Sequence, residues 1–551
     1  MSTPARPAGR STARAVWSVV VVWIGTVVAM IGGPLPATAV AAGLTTWSPA
    51  ISLVRCSSVA GPYVVFPASD PFHAAGQGAI LWSGDPADCK AGAAAGPGVG
   101  IAEFQPDHTL GVPRLVTSAG RSGLSGLSGV TATGDGRIVL AGGLRGAPGA
   151  SGGLLQGLAD GQFAAAGRLG GPSTPIAATS SYRGDVGIAS VGAGGRIELR
   201  IEQHGTPSFG PPVYLSSGGA AITALSVNID YRGDAVVAWA ERGAIYVRVR
   251  ASTGVVLPAR RVASSPAGPG LSALISDDNR AIVAWENTRP TVGNAGTTTT
   301  SAYLDISIPG IHFASPRLLD RFVDPPGIAP PAGGLQMVRL AYEGVVAVWT
   351  GLLDGHLDIR VASVSIHATT PATTVSDPRA DAMLSSVATG PRDDLVLLWT
   401  AAPRSTGAPQ AADERIISAR GVSEPSGVMK FDTPQLVAGP GLLSSPNVGI
   451  DPVTDVAVAV WRNQSANPGI DYAVRGPAAS NTSVAGRPGT PHAARRGDPG
   501  GPPAVAAIVA LAGLVAVVLA LLGIRRRARV RRGADLASAG RRLTRGTGWD
   551  S

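Results

Sequence analysis

A short apolar run closed by tryptophan recurs along the middle of the chain. Its clearest copy is Asp234-Ala-Val-Val-Ala-Trp239, entered through Tyr231-Arg232-Gly233 and left through Glu241-Arg242-Gly243. Further copies end at Trp82 (Ala79-Ile-Leu-Trp), Trp285 (Ile282-Val-Ala-Trp), Trp349 (Val346-Ala-Val-Trp), Trp399 (Val396-Leu-Leu-Trp) and Trp461 (Val458-Ala-Val-Trp). Two weaker ones end at Gly142 (Val139-Leu-Ala-Gly) and Ser190 (Gly187-Ile-Ala-Ser). These runs are short, rich in β-branched residues and bounded by turn residues, so they read as strands. They are apolar on both faces, which predicts burial on both faces.

Three other elements accompany each copy. A partly alternating segment follows, as in Ile245–Arg250, Leu357–Ala362, Arg415–Arg420 and Ile470–Arg475; alternation suits a strand with one wetter face. Next comes a Pro-containing element, as in Phe209–Leu215, Leu257–Val262, Phe313–Leu319, Phe431–Val437 and Leu110–Val116, with weaker forms at 163–169 and 371–375. Proline lacks the N–H a ladder needs, so this strand belongs at an edge. A run before each tryptophan strand, such as Leu225–Asp230 or Pro446–Asp451, completes a set of four.

Four antiparallel strands per ~50 residues, repeated, predict an all-β chain folded as a β-propeller. The period alone also allows a stacked solenoid. Closure is argued from the ends of the array. The last repeat runs into residues 477 onward without its Pro-type edge strand, and Thr46-Trp47-Ser-Pro-Ala-Ile-Ser-Leu53 matches the missing element. The N-terminus would then supply the outer strand of the last blade. Eight blades are expected, or seven if the copy at Gly142 or Ser190 is irregular.

The ends carry a different pattern. An Arg-bearing start, an apolar run over Ala15–Ile31 and small residues at 37–42 read as a secretory signal peptide over 1–42. An uncleaved anchor is the alternative, since 17 apolar residues approach a minimal span. The propeller is expected over 43–476. Residues 477–502 alternate Pro, Gly, Ser and Thr without an apolar period, which suits a semi-stiff stalk. Residues 503–524 hold no charge, enough for one transmembrane helix. Arg525, Arg526 and Arg527 follow at once and open a tail over 525–551. Positive charge beside a span stays cytoplasmic, so the expectation is a single-pass cell-membrane protein with the propeller outside and the tail inside.

Charge and composition then narrow the function. The formal net charge is +9. Residues 1–42 hold three Arg and no acid, and residues 525–551 hold nine Arg and two Asp. Of the 45 basic and 36 acidic side chains, 33 and 34 remain for 43–524. The propeller is therefore neutral, and a nucleic-acid partner, which needs a basic patch on the folded domain, is not expected. Lys90 and Lys430 are the only lysines, a bias that looks like a GC-rich bacterial genome. Cys56 and Cys89 are the only cysteines. In an exported chain they predict a disulfide bolting the closing strand to the blade it enters, stabilising by ~3 kcal/mol.

No stretch carries recognisable catalytic, cofactor-binding or metal-binding chemistry. The seven histidines are scattered without i, i+4 metal spacing. Asp354-Gly-His-Leu-Asp358, Asp277-Asp278-Asn279 and Arg392-Asp393-Asp394 read as turns. Gly-Leu-Ser-Gly at 123–126 is not a nucleophile elbow. The copies at Asp234–Trp239 and Asn279–Trp285 resemble the Asp/Asn-x-Ala-Val-Val-Ala-Trp repeats of secreted and membrane-anchored bacterial β-propeller repeat proteins. The resemblance covers roughly residues 44–476, implies fold and location, and carries over no catalytic residue; no characterised enzyme family is matched.

Two functions follow as expectations. The first is a membrane-anchored extracytoplasmic binding or scaffolding protein, its propeller surface taking a protein, a peptide or a cell-wall glycan. Loops are where binding concentrates, and the insertions at 286–303, 319–334 and 401–414 are the candidates. The second is a carbohydrate-active hydrolase or lyase. It requires two carboxylates converging at the propeller channel, about 5–9 Å apart for glycoside cleavage.

Overall fold

The computed structural model describes residues 46–476, apart from connecting segments of which the longest are 68–77 and 86–97. The chain first lays down β1 (Ile51–Arg55) and then builds blades in order. Blade 1 is β2 (Ala60–Val65), β3 (Ala79–Ser83), β4 (Val99–Glu103) and β5 (Arg114–Leu115). Blade 2 is β6 (Gly129–Ala132), β7 (Arg137–Gly143), β8 (Gly152–Leu158) and β9 (Ala164–Leu169). Blade 3 is β10 (Ile176–Ser180), β11 (Val186–Val191), β12 (Ile197–Glu202) and β13 (Val213–Tyr214). Blade 4 is β14 (Ile222–Ile229), β15 (Ala235–Glu241), β16 (Ala244–Arg250) and β17 (Arg260–Ala263).

Blade 5 is β18 (Leu271–Ile275), β19 (Ala281–Pro290) and β20 (Thr298–Ile308), with β21 (His312–Phe313) and β22 (Arg317–Asp324) both paired to β20. Blade 6 is β23 (Gln336–Arg339), β24 (Val345–Leu353), β25 (His356–Val364) and β26 (Thr373–Thr374). Blade 7 is β27 (Ala380–Thr389), β28 (Asp394–Pro403) and β29 (Glu414–Ser423), with β30 (Met429–Phe431) and β31 (Gln435–Gly441) both on β29. Blade 8 is β32 (Leu443–Ile450), β33 (Ala457–Asn463) and β34 (Gly469–Arg475), and its outer strand is β1.

Among the described residues the strands thus form eight antiparallel sheets. The copies at Gly142 and Ser190 lie in regular second strands, β7 and β11, so the count is eight and not seven. The first strand of every blade touches the first strand of the next, and β32 returns to β2, which closes the ring. At the seam β1 pairs with β34 from Ile51↔Tyr472 to Arg55↔Gly469. Ser48 donates its N–H to Val474 O and accepts from Val474 N at its hydroxyl.

The second strands are buried on both faces because each is sandwiched between two neighbouring blades. Trp239 lies in a cluster with Ala189, Val191 and Leu199 of blade 3. Trp285 packs with Val236, Ala238 and Val247 of blade 4. Trp349, Trp399, Trp461 and Trp82 repeat the arrangement against blades 5, 6, 7 and 8. All six indoles are at most 2% exposed. Each fills the wedge between its own blade and the preceding one, a volume only a large ring closes without leaving a void.

The inner strands face a different problem. Each pairs on one side only, so its other edge presents N–H groups with no ladder partner. Polar side chains from the preceding blade supply acceptors. Ser226 Oγ accepts from Ala273 N at 3.0 Å and Asn228 Oδ1 from Ile275 N at 3.1 Å. Ser272 Oγ takes Met337 N at 3.0 Å, Ser386 Oγ takes Val448 N at 3.3 Å, and Asn447 Oδ1 takes Val64 N at 3.0 Å across the seam.

The described parts of the insertions at 286–303 and 319–334 are largely sheet. Residues 286–290 and 298–303 extend the β19–β20 hairpin with unbroken pairing from Ile282↔Ile306 to Pro290↔Thr298, and 319–324 belongs to β22. The threonines there are good strand formers, and hydroxyl pairs at Thr288–Thr300 and Thr291–Thr299 hold the register. Cys56 follows β1 directly and is 1% exposed; Cys89 lies outside the described residues. So do the apolar segment 503–524 and Arg525, Arg526 and Arg527. Among the described residues no helix is long and apolar enough to cross a membrane.

Candidate functional site

One end of each blade carries the turn between first and second strands and the end of the third strand. Adjacent blades meet there over a wedge-shaped gap, and the side chains that fill it differ from junction to junction. Between blades 7 and 8 the gap is filled by an arginine clamp. Arg420 on β29 lies with Nη2 2.7 Å from Asp394 Oδ2, at the start of β28 in its own blade, and reaches Asp455 in the turn of blade 8. Asp394 is 1% exposed. Burial, reinforced by the Asp394 carboxylate, pushes the Asp455 carboxyl up despite the guanidinium. Between blades 2 and 3, Arg137 ion-pairs with Glu202, whose two oxygens also accept from Gln156 Nε2 at 2.9 and 2.8 Å. Burial raises the Glu202 carboxyl against the pull of both partners.

Between blades 5 and 6 no such ion pair across the junction is present among the described residues. Arg420 pairs across its hairpin with Val396, three residues before Trp399; the matching position three before Trp285 is Ile282, whose partner is Ile306. The turn-end residue, Asp185, Asp234 and Asp394 five residues before the end of the second-strand run in blades 3, 4 and 7, is Gly344 in blade 6 and Arg280 in blade 5. Ile306 therefore stands where blade 7 has Arg420 and Arg280 where it has Asp394, while the blade 6 position matching Asp455, Glu343, lies outside the described residues. What remains is a cleft of about 130 Å³.

Its walls are Leu274, Ile275, Ile282 and Ile306 from blade 5 and Val345 and Val364 from blade 6. Its rim is polar, formed by Ser276, Asp278, Arg280, Arg339 and Ser365. The blade 5 turn is held by Ser276 N donating to Arg280 O at 3.0 Å, by Asn279 in the left-handed region at φ 65°, and by the Arg280–Asp278 ion pair. The blade 6 turn is closed by Leu340 N donating to Gly344 O at 2.8 Å. Arg317 of β22 donates to Ser365 O at 3.1 Å and ties the two walls together.

The other short motifs resolve as structure. Asp354 and Gly355 form the β24–β25 turn with φ of 53° and 79°. Asp358 is 2% exposed and accepts from Ser376 Oγ at 2.8 Å. His356 Nδ1 lies 3.4 Å from Asp381. Asp393 takes φ 56° in the turn before β28. Among the described residues no group of three or more His, Cys, Asp or Glu side chains could hold a metal ion. The inner strands that surround the channel carry, among the described residues, a single carboxylate, Asp381. Carboxylates that approach one another do so at blade junctions, Asp394 and Asp455 on Arg420 and Asp135 and Glu202 on Arg137.

Sequence reasoning places the six tryptophans and the ring but misses the cleft. Its signal is a difference between copies: Arg280 where the turns of blades 3, 4 and 7 end in Asp, and Ile306 where blade 7 has Arg420.

No family model matches the chain, and no curated protein matches it. Solved structures similar to it include the BP39L lectin of Burkholderia pseudomallei, at 13% identity over 70% of this chain and 100% of that one, with a TM-score of 0.43. A polysaccharide lyase of the PL25 ulvan lyase family is 12% identical over 78% of this chain and 96% of its own, also at 0.43. A protein from Dyadobacter fermentans is 12% identical over 78% and 98%, at 0.34. The lectin and the lyase are β-propeller proteins. At these identities and scores the likeness carries no argument about activity, and the fold rests on the sheet order and the closed ring.

Proposed function

We propose that the chain is a membrane-anchored extracytoplasmic binding protein of a GC-rich bacterium, presenting an eight-bladed propeller to a protein, peptide or cell-wall glycan ligand. The observation that carries this reading is the cleft between blades 5 and 6. It is concave, apolar within and polar at its rim, which is the usual make-up of a ligand site. The propeller's near-neutral charge is consistent with a ligand other than nucleic acid.

Export and anchoring rest on the sequence: the signal-like 1–42, the stalk 477–502, the uncharged 503–524, and Arg525, Arg526 and Arg527 behind it. A disulfide between Cys56 and Cys89 belongs to the same proposal, since an oxidising compartment favours it. The alternative, a hydrolase or lyase, needs a carboxylate pair at the channel; among the described residues of the inner strands Asp381 is the single carboxylate, which supports the binding reading.

External protease on intact cells tests the topology. Cleavage within 43–476, with residues 525–551 protected until the membrane is opened, is expected. Full protection of the propeller in intact cells overturns the placement. The binding reading is tested by probing the purified full chain against immobilised glycans and peptides, where retention of one ligand class supports it and retention of none removes it.

A further inference from the structure

Charge is unevenly matched at the junction of blades 7 and 8. Arg420 Nη2 meets two carboxylates at once, Asp394 Oδ2 of blade 7 and Asp455 Oδ2 of blade 8. The neighbouring Arg475, at the end of β34, is 2% exposed and pairs with Asp432, Nη2 to Oδ2 2.8 Å. Asp432 directly follows β30 and also accepts from Arg420 N at 2.7 Å through Oδ1. Asp451, buried in the blade 8 turn, accepts from Val453 N at 2.9 Å and Thr454 Oγ1 at 2.6 Å. Asp394, Asp432, Asp451 and Asp455 thus gather around the guanidinium groups of Arg420 and Arg475.

Asp455 is turned toward blade 7. Val456, the next residue, points the other way and packs with Val64 and Phe66 of blade 1. On that blade 1 side the ionisable residues are Asp70 and His73, which lie outside the described residues. On the blade 7 side the remaining ones are Arg392 and Asp393 before β28, and Glu424 and Lys430 around the β29–β30 turn. Arg392 donates its backbone N–H to Asp394 Oδ1 at 3.2 Å. Arg392, Glu424 and Lys430 are exposed, so solvent and salt screen their charges. Asp455 Oδ1 accepts no hydrogen bond among the described residues. Two ionised carboxylates on one guanidinium repel each other. A proton on one of them turns that repulsion into an O–H···O⁻ hydrogen bond, among the stronger kinds.

We propose that this junction is a latch that tightens in acid: Asp455 takes up a proton from solvent, donates its O–H to the Asp394 carboxylate, and so holds blade 8 to blade 7 more firmly in mild acid than at neutral pH. The direction follows from linkage. Burial, reinforced by the Asp394 charge, pushes the Asp455 carboxyl above its ordinary value against the pull of Arg420. A carboxyl raised in the folded state contributes stability that is fully present below the unfolded pKa of about 3.9 and is lost as pH rises through the raised one. The position gives the latch its consequence. Blade 8 is the blade completed by the N-terminal strand, and Trp47 reaches across this same junction to Ser418 of blade 7. The proton therefore acts where the ring is closed, independently of any ligand at the blade 5–6 cleft.

Native-state hydrogen exchange on the full chain in detergent tests it, at about pH 4.5 and about pH 7.5 with the intrinsic exchange rate divided out. Val448 N, held by Ser386 Oγ across this junction, is the reporter. Met337 N, held by Ser272 Oγ across the blade 5–6 junction, is the reference. Protection of Val448 relative to Met337 is expected to be about tenfold greater at the acid pH, the factor that a one-unit difference in pKa gives. Asp455→Asn is neutral at both pH values and should keep the ratio at its acid level throughout. Asp394→Asn leaves Arg420 to Asp455 alone and should also remove the pH dependence. Circular dichroism verifies that each variant is folded. A ratio in the parent that stays level, or falls in acid, overturns the proposal without recourse to any variant. A pH dependence that survives either substitution in the folded protein overturns it as well.

Discussion

Asp305 shows how costly one residue in this repeat can be. It sits on β20 opposite Val283, 1% exposed, where the corresponding positions of blades 6, 7 and 8 are Ala362, Ala419 and Ala473. Its Oδ1 accepts from Ile306 N at 2.8 Å, while Oδ2 has no hydrogen-bond partner among the described residues. Burial pushes its carboxyl up to about 6, with the Ile306 N–H and the Arg317 charge pulling the other way. A folded pKa above the unfolded one of about 3.9 means the stabilising contribution is fully present below pH 4 and is lost as pH rises through 6. Asp305→Asn keeps the acceptor for Ile306 and removes the charge. The variant should be more stable than the parent at pH 7.5, by on the order of 2 kcal/mol, and the two should converge near pH 4. Thermal melts at the two pH values decide it; a parent whose stability does not fall between pH 5 and 7.5 relative to the variant contradicts the assignment.

At the scale of the element, two devices hold blades together: the indole wedge of the second strand and the side-chain acceptor of the first. The second is the subtler. Asn447 on β32 meets Val64 N of β2, a hydrogen bond that helps join the last blade to the first. Asn447→Ala should leave that N–H without an acceptor and cost about 1–2 kcal/mol. Native-state hydrogen exchange should show Val64 losing protection while Ile275, served by Asn228, keeps it. Equal protection at Val64 before and after would mean water replaces the side chain at no cost. These two devices differ in how far the sequence exposes them. The indole wedge is legible because Trp239, Trp285 and their copies stand at a fixed place in a repeated run. The acceptors are not, since Ser226, Asn228, Ser272, Ser386 and Asn447 lie in inner strands whose polar residues resemble those of any half-exposed strand. The β19–β20 extension reads as an insertion in the sequence because its Thr-rich, Pro-flanked composition is shared by spacers and strands alike. The cleft is harder still: it is lined by Arg280 and Ile306, two ordinary residues that matter only by contrast with Asp394 and Arg420.

For the whole molecule the decisive feature is that the ring is closed by a strand from the other end of the chain. Every blade except the eighth takes its outer strand from residues that directly follow its third strand. Blade 8 takes β1, whose partner on β34 is more than 400 residues away in sequence. The join is secured at several depths. Trp47 is 8% exposed, packs among Val437, Ala459 and Trp461, and donates from Nε1 to Ser418 Oγ at 2.6 Å. Ser48 exchanges hydrogen bonds with Val474, and Arg55 lies 3.1 Å from Asp471. A repeat array without such a join is quasi-one-dimensional and can fray from either end. With it, blade 8 can open only by breaking contacts to both termini. Deleting residues 46–55 therefore removes more than one strand. It strips an indole worth about 3–5 kcal/mol on truncation and exposes the open edge of β34. The expected outcome is early exchange of the β33 and β34 amides and a melting transition lowered and broadened toward the sequential unfolding of an open array. Trp47→Ala alone should lower the transition and keep it sharp, because β1 still pairs. If the deletion melts as sharply and at the same temperature as the intact protein, the N-terminal strand is decoration on a ring that the inner strands already close.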